Sequence, residues 1–301
     1  MKQLFSAPRW RTALSIVRMA MASLAVAFLV YMAWHERHLL GDVLRSADTA
    51  YLLLTVMLWA ATHVVAPRLS TLVLGGTHQP FSYAAAFEIH SRNIPARYIP
   101  GGIWHTVGRV ADFHGCGFGA RQLTAFVFLE NMLAASVTLG AGGVCVAWVN
   151  RSAEWAVVGT LAALGGMAGF VFSWFVVNRW VLSRGDTISF MRYLTCIAVM
   201  VLFWIVAAAA FIAYLFAFPG WAASATWLEV GGAYLLSWGV GLVVVFAPQG
   251  IGIFETTFAA LLPGSFGLGA VAVLVAGFRV MVLCADLTVW LASRSFWRRG
   301  R

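Results

Sequence analysis

Apolar runs of about 20 residues recur along this 301-residue chain, and they restrict its fold more than any other feature. A helix of that length crosses the hydrocarbon layer of a membrane and satisfies its own backbone hydrogen bonds there. The chain is 61% hydrophobic and only 10% charged, whereas soluble domains carry about 25% charged residues. The sequence therefore predicts an all-α, polytopic helical membrane protein. We expect one integral membrane domain over residues 1–301, without a separate soluble module.

The hydropathy pattern places seven spans, and the basic residues orient them. The predicted spans cover residues 13–34, 50–74, 120–149, 153–178, 194–217, 225–247 and 267–292. Basic residues cluster before the first span, between 179 and 192, and after 294. The positive-inside rule then puts both termini in the cytoplasm, with the protein as a multi-pass component of the inner (plasma) membrane. The same clusters account for the net charge of +9, so we assign it to topology and not to nucleic-acid binding.

Two regions do not fit a simple series of spans. Residues 77–119 must begin and end on the cytoplasmic side although they are half apolar, and residues 227–263 must begin and end outside. A re-entrant hairpin satisfies each of them, because non-helical backbone is tolerated at membrane depth where protein or a water-filled cavity surrounds it. We therefore expect about seven or eight spans with two re-entrant, broken-helix hairpins.

The first break lies in "RYIPGGIWHTVGRV", residues 97–110. Pro100 cannot continue a helix, and the two glycines after it let the backbone turn and approach a ligand closely. A new helix beginning near Ile103 would direct its free amides into the break, which favours an anion. His105 and Arg109 are four residues apart and share one face of that helix. The candidate phosphate-binding residues are Arg97, Pro100, Gly101, Gly102, Trp104, His105 and Arg109.

A purely structural interpretation of the same segment stays open. The Pro-Gly-Gly stretch would then be a surface turn within a cytoplasmic arginine cluster. Trp104 would be an interfacial anchor, and His105 a packed core histidine. Asp112, three residues after Arg109, would be that arginine's partner in a bridge on the helix surface.

The second break reads "FAPQGIGIFETTF", residues 246–258. Aligning Pro248 with Pro100 superposes P-x-G-I in both segments. Matched Gly/Pro interruptions in two halves of a membrane chain indicate a transporter binding site between inverted repeats. The candidate binding residues here are Pro248, Gly250, Gly252 and Glu255.

Among the ionisable residues inside predicted spans, Glu130, Arg279 and Asp286 need partners. Glu130 lies about ten residues into its span, and Arg279 and Asp286 are seven apart on the last helix. A charge at the bilayer centre costs about 2.5–3.5 kcal/mol, so such groups face the bundle interior and find partners. They serve either a substrate or proton pathway, or an internal Arg279–Asp286 bridge that fixes helix packing. Gly165 and Gly169 indicate close helix contact.

No sequence feature indicates a cofactor or a metal ion. The four cysteines are scattered without metal-ligand spacing, and none of the common hydrolase, zinc-protease or nucleotide-binding motifs occurs. We therefore do not expect an enzyme.

The two breaks, with the Glu130-bearing helix between them, resemble the lysylphosphatidylglycerol synthase transmembrane-region family, also called flippase-like proteins. The first motif matches at Pro100, Gly101, Trp104, His105, Gly108 and Arg109. The second matches at Pro248, Gly250, Gly252 and Glu255, with Gln249 where the family has a glycine. The resemblance implies a stand-alone member without the aminoacyl-transfer domain, and therefore a lipid translocator.

The leading hypothesis is a flippase for a phosphate-bearing lipid, such as a phospholipid or a polyprenyl-phosphate-linked sugar. Arg97, His105 and Arg109 would contact the headgroup, while Glu130, Glu255 and Asp286 would act as counter-charges or proton carriers. A membrane-embedded transferase with Glu255 or His105 as general base is the alternative. A non-catalytic partner of envelope-biosynthesis enzymes is a third.

Overall fold

The computed structural model describes residues 47–75, 80–99, 103–149, 152–183, 185–222, 225–244, 252–262 and 268–299. All regular secondary structure in these ranges is helical, which confirms the predicted all-α class. Within the described ranges, nine helices carry the architecture: α1 Thr49–Leu74, α2 Tyr83–Arg92, α3 Trp104–Gly115, α4 Ala120–Val149, α5 Ala153–Val176, α6 Phe190–Phe216, α7 Trp227–Val243, α8 Ile253–Leu261 and α9 Leu268–Arg299. A 3-10 helix at Ile94–Tyr98 follows α2, a π-helical turn at Val177–Val181 extends α5, and a single turn at Pro219–Ala222 follows α6.

Five of the described helices are long and apolar enough to cross a membrane. They are α1, α4, α5 with its π-helical extension, α6 and α9, as the span assignment predicted for these segments. Large apolar side chains cover their outer surfaces, among them Met57 on α1, Leu161 and Val171 on α5, and Ile205 on α6. Such surfaces suit a lipid environment, and the chain fits a multi-pass membrane protein.

Two predicted spans are not among these five helices. The span at 13–34 lies outside the described residues. The span at 225–247 contains α7, which has only 17 residues and so extends roughly 25 Å, short of a hydrocarbon layer of about 30 Å. Residues Val230 to Ser237 of α7 are buried without interruption, so this helix packs inside the bundle.

Helix starts follow the local sequence. Asp48, Ser82, Ser152, Ser189 and Thr226 each precede a helix and accept a hydrogen bond from a backbone amide of its first turn. Such side chains satisfy amides that have no partner within the helix. Helix α3 begins at Trp104, one residue after the position expected from the Pro-Gly-Gly break.

Glycines allow the closest helix contacts, on the antiparallel pair α4–α5. A Cβ at Gly159 would lie 2.6 Å from the carbonyl oxygen of Gly143, and one at Gly166 would lie 2.5 Å from that of Ser136. Gly169 also faces Ser136, as the packing interpretation expected. The expectation for Gly165 was wrong, since an added Cβ there would meet nothing. The face of α5 that contacts α4 follows the helical period, and this period places Gly166, but not Gly165, on that face.

An aromatic cluster fills the core between α6, α7, α8 and α9. The Phe211 ring stacks on Tyr234 with centroids 4.7 Å apart, and it meets Phe258 and Phe278 edge-on. All four side chains are buried. This packing holds the hairpin of α7 and α8 against the long helices α6 and α9.

Candidate functional site

A cavity of about 240 Å³ lies at mid-height of the bundle. The long helices contribute residues close to their own midpoints: His63 on α1, Ala134 on α4 and Phe203 on α6. The short helices α2 and α3 supply polar side chains from the other side. The polar and charged lining consists of Thr62, His63, His90, Arg97, His105, Thr106, Arg109, Glu130 and Asn131. The cavity is therefore polar on its α1–α4 side, while α6 presents Val199, Met200, Phe203 and Trp204.

Asp286, behind this cavity on α9, is fully buried and accepts four hydrogen bonds. Trp59 Nε1 and His63 Nε2 of α1 donate to Oδ1, at 3.0 and 2.8 Å. Arg97 NH1 and the Tyr98 hydroxyl, from the 3-10 helix, donate to Oδ2 at 3.1 and 2.9 Å. A buried carboxylate persists only with such complete pairing, so Asp286 holds three elements together.

A chain of two imidazoles connects Asp286 to the cavity. His63 Nδ1 lies 3.0 Å from His90 Nε2, and the His90 ring meets His105 edge-on at 5.6 Å. Burial is the main cause that lowers the pKa of His90 well below its usual value, with His63 and the Arg109 guanidinium adding to it. Burial and the same guanidinium also lower the pKa of His105. Both imidazoles are therefore neutral at neutral pH.

Arg109 of α3 forms a bidentate ion pair with Glu130 of α4. NH1 donates to Oε1 at 2.7 Å and NH2 to Oε2 at 2.6 Å, while the guanidinium lies over the ring of Phe126. The structural interpretation predicted a bridge between Arg109 and Asp112, and that prediction was wrong. Asp112 instead accepts from Arg92 at 2.9 Å and from the Asn93 side chain at 2.7 Å, because it lies on the side of α3 that faces the end of α2.

Gly108 of the first motif has a packing role. An added Cβ there would collide with the Asn93 side-chain oxygen. The Asn93 amide also donates to the carbonyl of Ile89, so this side chain ties α2 to α3. The missing Cβ at Gly108 lets the two short helices approach each other.

Glu255, which is buried, and Arg279, which is partly exposed, form a second ion pair between a hairpin and a long helix. Arg279 NH2 donates to Oε1 of Glu255 at 2.8 Å, and the amide of Gly252 donates to Oε2 at 2.7 Å. Gly252 has φ of 87°, a conformation that favours glycine. The proposed Arg279–Asp286 bridge is wrong. Seven residues rise about 10.5 Å along a helix, and each side chain meets a nearer partner of opposite charge.

The arginines of the cavity are thus matched by carboxylates. Arg97 pairs with Asp286 and Arg109 with Glu130, which offsets the positive character expected from the first motif. Four polar atoms of cavity-lining residues are buried without any hydrogen-bond partner: His90 Nδ1, His105 Nε2, Arg109 Nε and Trp204 Nε1. A buried polar atom without a partner costs about 1–3 kcal/mol, so a hydrogen-bonding partner for any of these atoms would stabilise the site.

Several predicted site residues lie elsewhere. Trp104 is 45% exposed and does not line the cavity. Pro100, Gly101, Gly102, Pro248 and Gly250 fall outside the described residues. Glu255, Gly252 and Arg279 belong to the second pair described above, whereas Arg97, His105, Arg109 and Glu130 meet at the cavity.

Sequence reasoning missed His63, His90, Trp59, Tyr98 and Trp204. His63 carries the same signal that identified Glu130, an ionisable side chain well inside an apolar span. The other four carry no comparable signal, because aromatic residues are common in membrane spans and His90 lies in a mixed segment. In the described part of the chain, no group of His, Cys, Asp or Glu side chains is arranged to hold a metal ion.

A larger cavity of about 480 Å³ lies between the end of α4, the start of α5 and the hairpin of α7 and α8. Its one charged side chain, Glu229, is already engaged by Thr226 at the start of α7. The smaller cavity has the more polar and charged lining, and four of its lining residues have an unpartnered buried polar atom.

Comparison of the chain with models of known protein families finds no match, and comparison with curated proteins finds none either.

Proposed function

We propose that this protein is a translocator, or flippase, of a phosphate-bearing lipid, and that it belongs to the lysylphosphatidylglycerol synthase transmembrane-region family. The carrying observation is one mid-height cavity whose lining includes four residues, His90, His105, Arg109 and Trp204, that each have a buried polar atom without a hydrogen-bond partner. Arg109 Nε and Trp204 Nε1 are donors only, and each neutral imidazole offers a donor or an acceptor. Phosphate and glycerol or sugar oxygens are suitable partners for this set.

The other wall of the cavity suits the apolar part of a lipid. Val199, Met200 and Phe203 of α6 line the same cavity as the polar side chains. Asn131, at its edge, is exposed on the surface of the described bundle. An amphipathic ligand would place its headgroup among the histidines and arginines and its chain along α6. A small polar metabolite would leave that apolar wall without a partner.

The depth of the cavity supports re-entrant hairpins. His90, His105 and Arg109 come from short helices, yet they share a cavity with residues at the midpoints of α1, α4 and α6. The Glu255–Arg279 contact brings α8 to the inner part of α9 in the same way. We infer that both hairpins enter the membrane and return to the side from which they came. Both termini are then cytoplasmic, in the plasma membrane, as the arginine clusters predict.

The two hairpins also match in their charge pairing, which supports an inverted repeat. In each, the second helix pairs with the long helix that follows it: α3 with α4, and α8 with α9. The polarity is reversed, since α3 supplies an arginine and α8 a glutamate. If one of these ion pairs breaks while the other stays intact, the two halves of the protein can move alternately around the cavity.

Reconstitution tests the proposal. The full chain would be placed in vesicles of phosphatidylethanolamine and phosphatidylglycerol, with tail-labelled fluorescent phosphatidylglycerol as the probe. Dithionite, which bleaches only the outer leaflet, reports movement. We expect bleaching beyond the outer-leaflet fraction in protein vesicles and not in empty ones. A labelled prenyl phosphate in parallel vesicles distinguishes the two lipid classes, and chromatography of the recovered probe detects the covalent change that a transferase would cause.

A matched pair of tryptophan variants links movement to the cavity. Trp204→Phe removes an unpartnered donor from the cavity, so translocation should fall while stability is kept. Trp174→Phe removes an equally buried, unpartnered Nε1 on α5 that is not part of the cavity lining, and it should leave translocation unchanged. Equal effects of the two variants would contradict the assignment of the cavity.

A further inference from the structure

We propose that Asp286, His63 and His90 form a proton-conducting chain that couples the uptake of one proton to the binding of one anionic headgroup by Arg97. The inference rests on the proposed translocation for its substrate, and the connected geometry of the three side chains carries it. The hydrogen bonds His90 Nε2–His63 Nδ1 and His63 Nε2–Asp286 Oδ1 measure 3.0 and 2.8 Å.

The proton positions in this chain follow from its two ends. A carboxylate only accepts hydrogen bonds, so His63 donates to Asp286 from Nε2. We assign His63 a single proton, on Nε2, so that its Nδ1 accepts and His90 donates from Nε2. The remaining ring nitrogen, His90 Nδ1, is an unprotonated acceptor. It is buried, has no partner and belongs to a cavity-lining residue. The chain therefore ends in a buried proton acceptor on a residue that lines the ligand cavity.

Arg97 gives the chain its link to the ligand. It lines the cavity and also donates to Oδ2 of Asp286. A phosphate entering the cavity competes with Asp286 for this guanidinium. When Arg97 turns to the phosphate, Asp286 keeps a full negative charge in a fully buried position. A buried carboxylate that loses its cationic partner takes up a proton.

The proton is transferred in three balanced steps. A proton from the water phase binds His90 Nδ1 while His90 Nε2 releases its proton to His63 Nδ1. His63 Nε2 in turn releases its proton to Asp286 Oδ1. Both imidazoles end neutral with their tautomers exchanged, and Asp286 ends as a carboxylic acid that donates to His63 Nε2. One positive charge has then entered for each negative charge of the headgroup, so the loaded site stays neutral.

The surroundings of the chain determine where the proton rests. The polar and titratable side chains around the proton chain come from every element packed against it. They are Trp59 of α1, Arg97 and Tyr98 of the 3-10 helix, His105 and Arg109 of α3, Glu130 of α4 and Cys284 of α9. Glu130 is occupied by both guanidinium nitrogens of Arg109. It also lacks an imidazole partner, so Asp286 is the carboxylate that receives the proton.

The first test uses a pH difference across the vesicles described above, with the membrane potential clamped at zero. The probe is the tail-labelled phosphatidylglycerol. At steady state, coupling of one proton per lipid shifts its ratio between leaflets by up to about tenfold for each unit of pH difference. His90→Gln keeps a donor to His63 Nδ1 but cannot relay a proton, so the probe should move without any shift. His114→Gln, on the exposed end of α3, should behave like the unmodified protein.

A second readout does not depend on transport. Nitrogen-15 NMR of histidine-labelled protein reports which ring nitrogen carries the proton. We expect His63 protonated at Nε2 in the unliganded protein and at Nδ1 after saturation with glycerol phosphate. A proton on Nδ1 in the unliganded protein would overturn the chain, as would probe movement in the unmodified protein that ignores the pH difference. If no probe moves in any vesicle, the proposed function fails, and the NMR result still decides the chain.

Discussion

Arg109 and Glu130 meet through two parallel hydrogen bonds of 2.7 and 2.6 Å, linking a short helix of the first hairpin to the long helix that follows. Arg109 is buried, whereas the Glu130 side chain is 25% exposed. A bidentate guanidinium–carboxylate pair adds geometric specificity to its charge attraction. The pair therefore fixes the position of α3 against α4, and it leaves Arg109 Nε buried without a hydrogen-bond partner.

We predict that Arg109→Ala lowers stability by about 3–5 kcal/mol, because the change leaves Glu130 without its cation. Arg109→Lys keeps the charge but loses the fork-shaped pairing, so it should cost less stability and still impair translocation. Thermal unfolding in detergent and the vesicle assay measure the two effects. As the control, Asp112→Ala removes a largely exposed pair worth about 0–1 kcal/mol and should leave translocation intact.

The exchanged double variant, Arg109→Glu with Glu130→Arg, separates scaffolding from substrate contact. It should recover part of the lost stability, since the pair reforms with reversed polarity. Translocation should stay low, because the guanidinium now belongs to α4. Recovery of translocation along with stability would show that Arg109 only supports the fold.

Glu255→Gln should destabilise the protein by about 2 kcal/mol. The glutamine side chain has one oxygen, so it cannot replace both carboxylate oxygens that accept from Gly252 and Arg279. It also leaves the Arg279 guanidinium without a counter-charge. Because Arg279 is partly exposed, the cost stays below that of a fully buried pair. Glu229→Gln is the matched control. Glu229 accepts from the backbone amide of Thr226 as Glu255 does from that of Gly252, and glutamine is also accepted at this position of a capping box, so its change should cost less than about 0.5 kcal/mol. Equal unfolding temperatures of the two variants would mean that the Arg279 contact is unimportant.

Gly159→Ala should cost about 1–3 kcal/mol, since its Cβ would press on the backbone of α4 and separate the two helices. Gly165→Ala, six residues along the same helix, should be neutral or slightly stabilising because alanine favours a helix and the position is open. Unfolding temperatures of the two variants test the packing. A stable Gly159→Ala protein would contradict the close α4–α5 contact.

The native cysteines test the topology. Cys116 is exposed at the turn between α3 and α4, on the side that we assign to the cytoplasm. A membrane-impermeant maleimide should label it in inside-out vesicles and not in right-side-out ones. Cys284 is also exposed, but it lies on the membrane-spanning α9 and should resist the reagent on both sides. Labelling of Cys116 from the outside would reverse the assignment of every span.

The sequence by itself determined the class of the protein, most of its long helices and the starts of several of them. Apolar runs of span length leave few alternatives to membrane helices, and capping residues act on amides within their own first turn. Hence the helices at 49–74 and 120–149 match the predicted spans to within one residue. The ionisable residues in the spans could also be recognised as needing partners, because an unpaired charge is costly there.

Only the tertiary structure decided which partners they have. The pairings Arg109–Glu130, Glu255–Arg279 and His63–Asp286 join residues 21, 24 and 223 positions apart. Neither helical period nor spacing along the chain encodes such contacts. They depend on which helices pack together and on how each is rotated about its axis, which the burial of whole helix faces determines. The predicted bridges, Arg109–Asp112 and Arg279–Asp286, failed for that reason, because the bundle brought closer carboxylates to each arginine.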